Sequence, residues 1–381
     1  MDAMVELGQR VRSRMPAGMS QNRLAERVGM TPDALSRALN GRRGLSLTEV
    51  TSIAEVLGAD THWLITGADD PFAVSVAARH SWDARSRVRV NNGRADDQVV
   101  LDQVVALYRA AYPPHGPGAS VELPADPSTL RDLLGPSFTR TFADVTEQNL
   151  GVDVIRIPGL KTDYSVRIGG RGVIVLATRS SWFRSNWSLA HELGHLALGH
   201  HSSYGPSRRD QPDEQAADKF AAALLLPAAV ADEFTTLTSE ADAARVVWDL
   251  GVSTEAVRNR LRSTGSQLTE VVAAALEKTT PRLLQDNRAA IGLATEPDPI
   301  VVREQQSSAR RVPLTLLSAL QHQVDRGSAS PELLAWALDV PVDDIDFPEP
   351  DDDAAADAYA VMLTDRPTVA DLRAMVTGAA G

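Results

Sequence analysis

Trp187-Ser188-Leu189-Ala190-His191-Glu192-Leu193-Gly194-His195-Leu196-Ala197-Leu198 is the stretch on which the reading of this chain turns. Its apolar residues recur with helical period, and residues four apart share a helix face. His191 and His195 therefore point one way, as two ligands of one metal must. Glu192 lies next to that face, within reach of a water beside the metal. Leu189, Leu193 and Leu196 line the opposite side and are expected to be buried. Ala190, Gly194 and Ala197 are small enough for another element to approach closely. Gly194 costs about 1 kcal/mol of helix stability relative to Ala, a cost that close packing or the site would explain.

Four of the eight histidines fall within 191–201, and the chain has no cysteine. Any metal is then held by His, Asp or Glu, with zinc the expected ion. Two residues compete for the third ligand position. His201 follows His195 by six residues, the metzincin spacing, but Leu198 stands where metzincins need a glycine, and the glycine comes one place later as Gly199. Glu214 lies on the next helix, which Pro212 opens and Pro227 ends. Ala217, Phe220, Ala221 and Leu224 give that helix an inner stripe, and Glu214 and Asp218 share a face. The pattern favours Glu214.

HExxH followed by Glu-x-x-x-Asp resembles the gluzincins. That resemblance implies Glu214 as a zinc ligand, Asp218 orienting the first His through its free ring N–H, and Glu192 as the catalytic base. More narrowly, 187–196 together with Glu214-x-x-Ala217-Asp218-x-Phe220-Ala221-Ala222-x-Leu224-Leu225-x-Pro227 resembles the ImmA/IrrE family of metallopeptidases, zinc proteins that act on or control helix-turn-helix repressors. The element Val252-Ser253-x-Glu255-Ala256-Val257-x-x-Arg260-Leu261 extends the likeness, which covers about 140–265. Thermolysin-like enzymes add a residue that stabilises the oxyanion. Tyr164, Tyr204 and His200 are the candidates here, each with a surface or core role as the blander reading.

Toward the N-terminus, 21–28 reads as an amphipathic helix with Leu24, Ala25 and Val28 inward. Gly29 permits a turn with positive φ. Thr31 is an N-cap and Pro32 stands at the first helical position, where its missing N–H is harmless. Leu35 and Ala38 face inward on the next helix, Asp33, Ser36, Arg37 and Asn40 outward, and Gly41 ends it. Gln21-x-x-Leu24-Ala25, Gly29-Met30-Thr31, Leu35-Ser36-Arg37, Asn40-Gly41 and Leu64-x-x-Gly67 resemble the Xre/phage-repressor family over 7–67. The resemblance implies a second motif helix in the major groove of an operator, usually in a homodimer. It puts Asp33 and Arg37 at base-reading positions and Gln21, Asn40 and Arg42 at phosphate contacts. Pro32 departs from it, standing where repressors often carry a base-reading polar residue.

The bulk numbers fit this division. A length of 381 residues predicts two or three domains. A net charge of −12 argues against nucleic acid coating the whole surface. Residues 1–67 hold eight Arg against seven Asp or Glu, so DNA contact is expected there and locally. No apolar run is long enough for a signal peptide or a membrane span, which predicts a cytoplasmic protein with no membrane partner.

The expected fold is mainly α with a small β-sheet. It comprises a five-helix helix-turn-helix domain (4–67), a linker (68–95), a zincin-like α+β peptidase domain (96–265) and a helical C-terminal extension (266–381) with an acidic stretch at 343–357. β-rich runs are expected at 152–157, 164–168 and 173–178, the last two forming a hairpin across Gly169 and Gly170. The run 173–178 is expected to pair with an extended substrate backbone at a sheet edge. The functional expectation is a DNA-binding transcriptional regulator with a Zn2+ peptidase site that cleaves or controls a partner protein in a stress, mobile-element or toxin–antitoxin switch. The alternative is an antitoxin or repressor whose peptidase-like domain captures a toxin without proteolysis.

Overall fold

The structure, a computed structural model, describes residues 3–78, 81–83, 88–90, 94–201 and 210–345. It is mainly helical with a small sheet. Tyr204 and most of the acidic stretch 343–357 lie outside the described residues.

Five helices open the chain: α1 (Ala3–Arg14), α2 (Gln21–Arg27), α3 (Pro32–Leu39), α4 (Leu47–Leu57) and α5 (Thr61–Thr66). The capping chemistry follows the sequence. Ser20 accepts from Arg23 N, Thr31 from Ala34 N, and Ser46 forms a capping box with Glu49. Gly29 makes the turn between α2 and α3 at φ 68°. Leu7, Val11, Leu24, Leu35, Leu39, Ile53 and Leu64 form a core of their own. Arg10 closes it, donating from Nε and Nη2 to the carbonyls of Leu64 and Ile65 at 2.8 and 2.7 Å.

Six strands are present among the described residues: β1 (Val74–Ala78), β2 (Ser81–Asp83), β3 (Val88–Val90), β4 (Asp153–Ile157), β5 (Tyr164–Ile168) and β6 (Arg171–Ala177). One sheet has the order β1-β5-β6-β4, with β4 and β6 parallel and the other pairs antiparallel; β2 and β3 form a separate ribbon. The stretch expected as a linker thus contributes an edge strand, β1, paired with β5 in register Val74↔Ile168. One expectation is corrected. The run 173–178 is not an edge, because β6 is flanked by β5 and β4. The outer side of β4 is also partly covered, since Arg156 and Arg311 exchange backbone hydrogen bonds of 2.8 and 2.9 Å.

Both faces of the sheet are buried, and the strand alternation sorts its residues between two cores. Val173, Val175 and Ala177 turn to one face and Ile174 and Leu176 to the other. The first face is covered by α6 (Arg94–Ala111), α17 (Leu314–Asp325) and α18 (Pro331–Leu338). The second carries α7 (Pro127–Leu134), α8 (Phe142–Leu150), α9 (Trp182–Ala197), α10 (Asp210–Leu225), α11 (Ala228–Thr236), α12 (Glu240–Leu250), α13 (Thr254–Thr264), α14 (Glu270–Glu277), α15 (Thr280–Asn287) and α16 (Pro299–Ser308). The helical C-terminal region is therefore built into both cores: Leu276, Leu283 and Ile300 join one, Leu316, Leu320 and Leu334 the other. Arg311 fastens it, bonding Glu147 at 2.5 and 2.9 Å, Asp144 at 2.8 Å and the Val154 carbonyl at 2.5 Å. Among the described residues no helix is long and apolar enough to cross a membrane.

Candidate metal centre and DNA-binding face

The small residues of α9 let α10 lie against it. A Cβ on Gly194 would sit 3.2 Å from Phe220 Cβ and 3.3 Å from Ala217 Cα, so this crossing needs glycine or very little more. Ala217, Phe220, Ala221 and Leu224 of α10 are buried in the shared core, as their stripe predicts. This packing brings Glu214 to His191 and His195. Glu214 Oε2 is 3.5 Å from His191 Nε2 and Oε1 is 3.5 Å from His195 Nε2, while the two Nε2 atoms are 3.1 Å apart. The three ligand atoms lie within 4.8 Å of one another and all three side chains are buried. His201, the competing ligand, does not join this group. Burial pushes its pKa down to about 3, helped by the nearby Arg167, so it is neutral at pH 7.

Both imidazoles have a partner on the side away from the cluster. His191 Nδ1 stands 2.9 Å from Asp218 Oδ1, an acceptor that favours a proton on Nδ1 and turns Nε2 toward the cluster. His195 Nδ1 stands 3.0 Å from His200 Nδ1. His200 in turn has its Nε2 3.8 Å from Asp213 Oδ1. Two imidazole nitrogens and a carboxylate thus converge in one buried space. Two imidazoles and one carboxylate suit zinc. Glu192, one residue from His191, is fully buried beside the cluster.

His200 is the residue whose role sequence reading missed. Gly199 ends α9 at φ 70° and turns the chain back, with His200 N donating to His195 O at 3.0 Å. The displaced glycine that argues against His201 as a ligand is the signal for this turn. Tyr164, an oxyanion candidate by sequence, is a core residue: it is fully buried and donates to Asp97 Oδ2 at 2.8 Å.

On the N-terminal domain, Asp33 and Arg37 stand exposed on α3, 3.1 Å apart as an i,i+4 pair. Arg42 is exposed just beyond α3, and Gln21 is half-buried at the start of α2. Asn40 is already engaged within the domain. Its Oδ1 accepts from Arg12 Nη2 at 2.6 Å and its Nδ2 donates to the Ser36 carbonyl at 2.8 Å.

Comparison with known families adds two matches. Residues 6–63 match the model of a helix-turn-helix domain, and 147–262 match a peptidase family model described as the IrrE N-terminal-like domain. No curated protein and no solved structure matches the chain.

Proposed function

Because the chain joins a helix-turn-helix domain to an IrrE-like peptidase domain, we propose that it is a DNA-binding transcriptional regulator with a zinc peptidase site directed at one regulatory partner protein. The observation that carries the reading is the convergence of His191, His195 and Glu214, with Glu192 buried beside them, on a chain that begins with a DNA-binding module. His191, His195 and Glu214 would hold the zinc. When bound, it would polarise a peptide carbonyl and acidify a water. Asp218 holds His191 in orientation from behind, and His200 does the same for His195. Glu192 takes a proton from the attacking water and hands it to the amine nitrogen as the peptide bond breaks.

On the DNA side, α3 enters the major groove of an operator, with Asp33 and Arg37 facing base edges and Gln21, Asn40 and Arg42 facing phosphates. The regulator acts as a homodimer in the cytoplasm. The test is co-expression of the wild type, or Glu192→Gln, with the product of the neighbouring gene, followed by intact-mass analysis. A fragment of the partner seen with wild type alone is the expected result. An intact partner in a stable complex with both proteins would sink the peptidase reading.

A further inference from the structure

A groove of about 980 Å³ opens beside the candidate metal centre, walled by α9, α10, α13 and the loop between β4 and β5. His191, Glu192, His195 and Glu214 do not line it. Asp218 does, and Asp218 is the carboxylate on His191, so the groove ends against the shell of the site. Phe183 and Trp187 of α9 and Ala222 and Leu226 of α10 give it apolar walls.

Its charges are sorted. Asp163 is engaged by Arg179 at 2.9 Å and by the amide of Ala177 at 2.9 Å, and Asp218 by His191. Lys161, Arg184, Lys219 and Arg260 then face the groove against a single remaining acid, Glu255. Lys161 has an exposed partner, Asp96, at 3.3 Å. Arg184, Lys219 and Arg260 have no carboxylate partner among the described residues, and Arg260 Nε is buried without a hydrogen bond. A chain of net charge −12 that gathers unpaired cations in one apolar-walled groove has built a site for anions.

We infer that the groove receives an acidic, partly apolar segment of the protein substrate, with carboxylates against Arg184, Lys219 and Arg260 and an apolar side chain on Trp187. The inference rests on the peptidase reading and supplies its substrate class. Such a segment is drawn in by its charge, so binding weakens as salt rises.

The test uses the full-length Glu192→Gln protein loaded with zinc. The probes are short fluorescent peptides of equal length, built from Leu and Ala with Glu, Gln or Lys at the remaining positions. The Glu peptide binds best, and its affinity falls with added salt. The double reversal Arg184→Glu/Lys219→Glu alters two exposed positions, so the fold persists. It weakens the Glu peptide at least about tenfold and shifts the preference to the Lys peptide. Equal binding of the Gln and Glu peptides, or unchanged binding of the Glu peptide by the double variant, overturns the inference. Failure of the peptidase reading looks different. In that case the Glu peptide binds as expected, yet the wild type cuts neither peptide nor partner. Cleavage by the wild type at sites without nearby acids overturns the groove assignment and leaves the peptidase standing.

Discussion

His200 stands to His195 as Asp218 stands to His191: each touches the Nδ1 that faces away from the ligand cluster, at 3.0 and 2.9 Å. Both imidazoles are thus held in orientation from behind. Loss of a partner of this kind usually costs about 10–100-fold in metal affinity. His200→Ala is expected to weaken zinc by about that factor, and Asp218→Ala similarly. Competition against a chromophoric chelator measures both. Wild-type affinity in His200→Ala would remove His200 from the site.

Metal content separates ligands from neighbours. Purified wild type should hold about one zinc per chain. His195→Ala and Glu214→Ala should lose it, while Glu192→Gln and His201→Ala should keep it. Elemental analysis showing loss in His201→Ala but retention in Glu214→Ala would reverse the assignment of the third ligand.

Arg311 ties the C-terminal region to α8 and the edge of β4 through two carboxylates and a carbonyl, with its side chain about one-fifth exposed. Removing a partly buried, multiply bonded cation leaves Glu147 without its ion-pair partner, with only the Val154 amide still bonded to it. Arg311→Ala should therefore cost about 2–3 kcal/mol. Arg140, paired with Asp249 at 2.6 Å but with both side chains roughly half exposed, should lose under about 1 kcal/mol on mutation to Ala. Urea titrations of the two variants side by side check the contrast. Equal losses would mean that the Arg311 network is no stronger than a surface pair.

For DNA, Arg37→Ala is expected to cost about 1–3 kcal/mol and to relax preference at one base pair. Arg42→Ala should weaken all sequences alike and reduce the dependence on salt. Because the first five helices enclose their own core, a fragment of residues 1–70 should fold and bind a two-fold symmetric site. Titration of fragment and variants against the chain's own promoter and random DNA decides this. Equal affinity for the two DNAs at physiological salt would end the operator reading.

What the sequence disclosed depended on how far each feature reached along the chain. Thr31 followed by Pro32 marks the start of α3 because a cap and a first-turn proline act within a few residues. HExxH and Glu-x-x-x-Asp state the two halves of the candidate site because helical period puts ligands on one face. The small residues around Gly194 imply the close crossing that joins those halves. β1 stayed hidden: five residues of modest hydrophobicity beside an Arg-rich stretch look like a connection, and their partner strand begins some ninety residues later. The position of β6 inside the sheet was equally out of reach, since strand order is set by packing between distant segments. The groove is assembled from four separate segments, so no local pattern announces it.

The connection between the two modules is short. Six residues, 68–73, separate Gly67 at the end of α5 from β1, and fully extended they span at most about 20 Å. Part of even that length is pinned. The Pro71 carbonyl lies 2.3 Å from where a Cβ on Gly116 or Gly169 would stand, and Gly169 N donates to the Ala73 carbonyl at 2.8 Å. A helix-turn-helix seated on an operator would therefore keep the candidate metal centre within a few nanometres of that DNA. A second protein bound to the same stretch would meet this centre at an effective concentration on the order of millimolar, far above its free level in a cell. Weak intrinsic affinity would then suffice for turnover at the operator, and the same protein away from DNA would be largely spared.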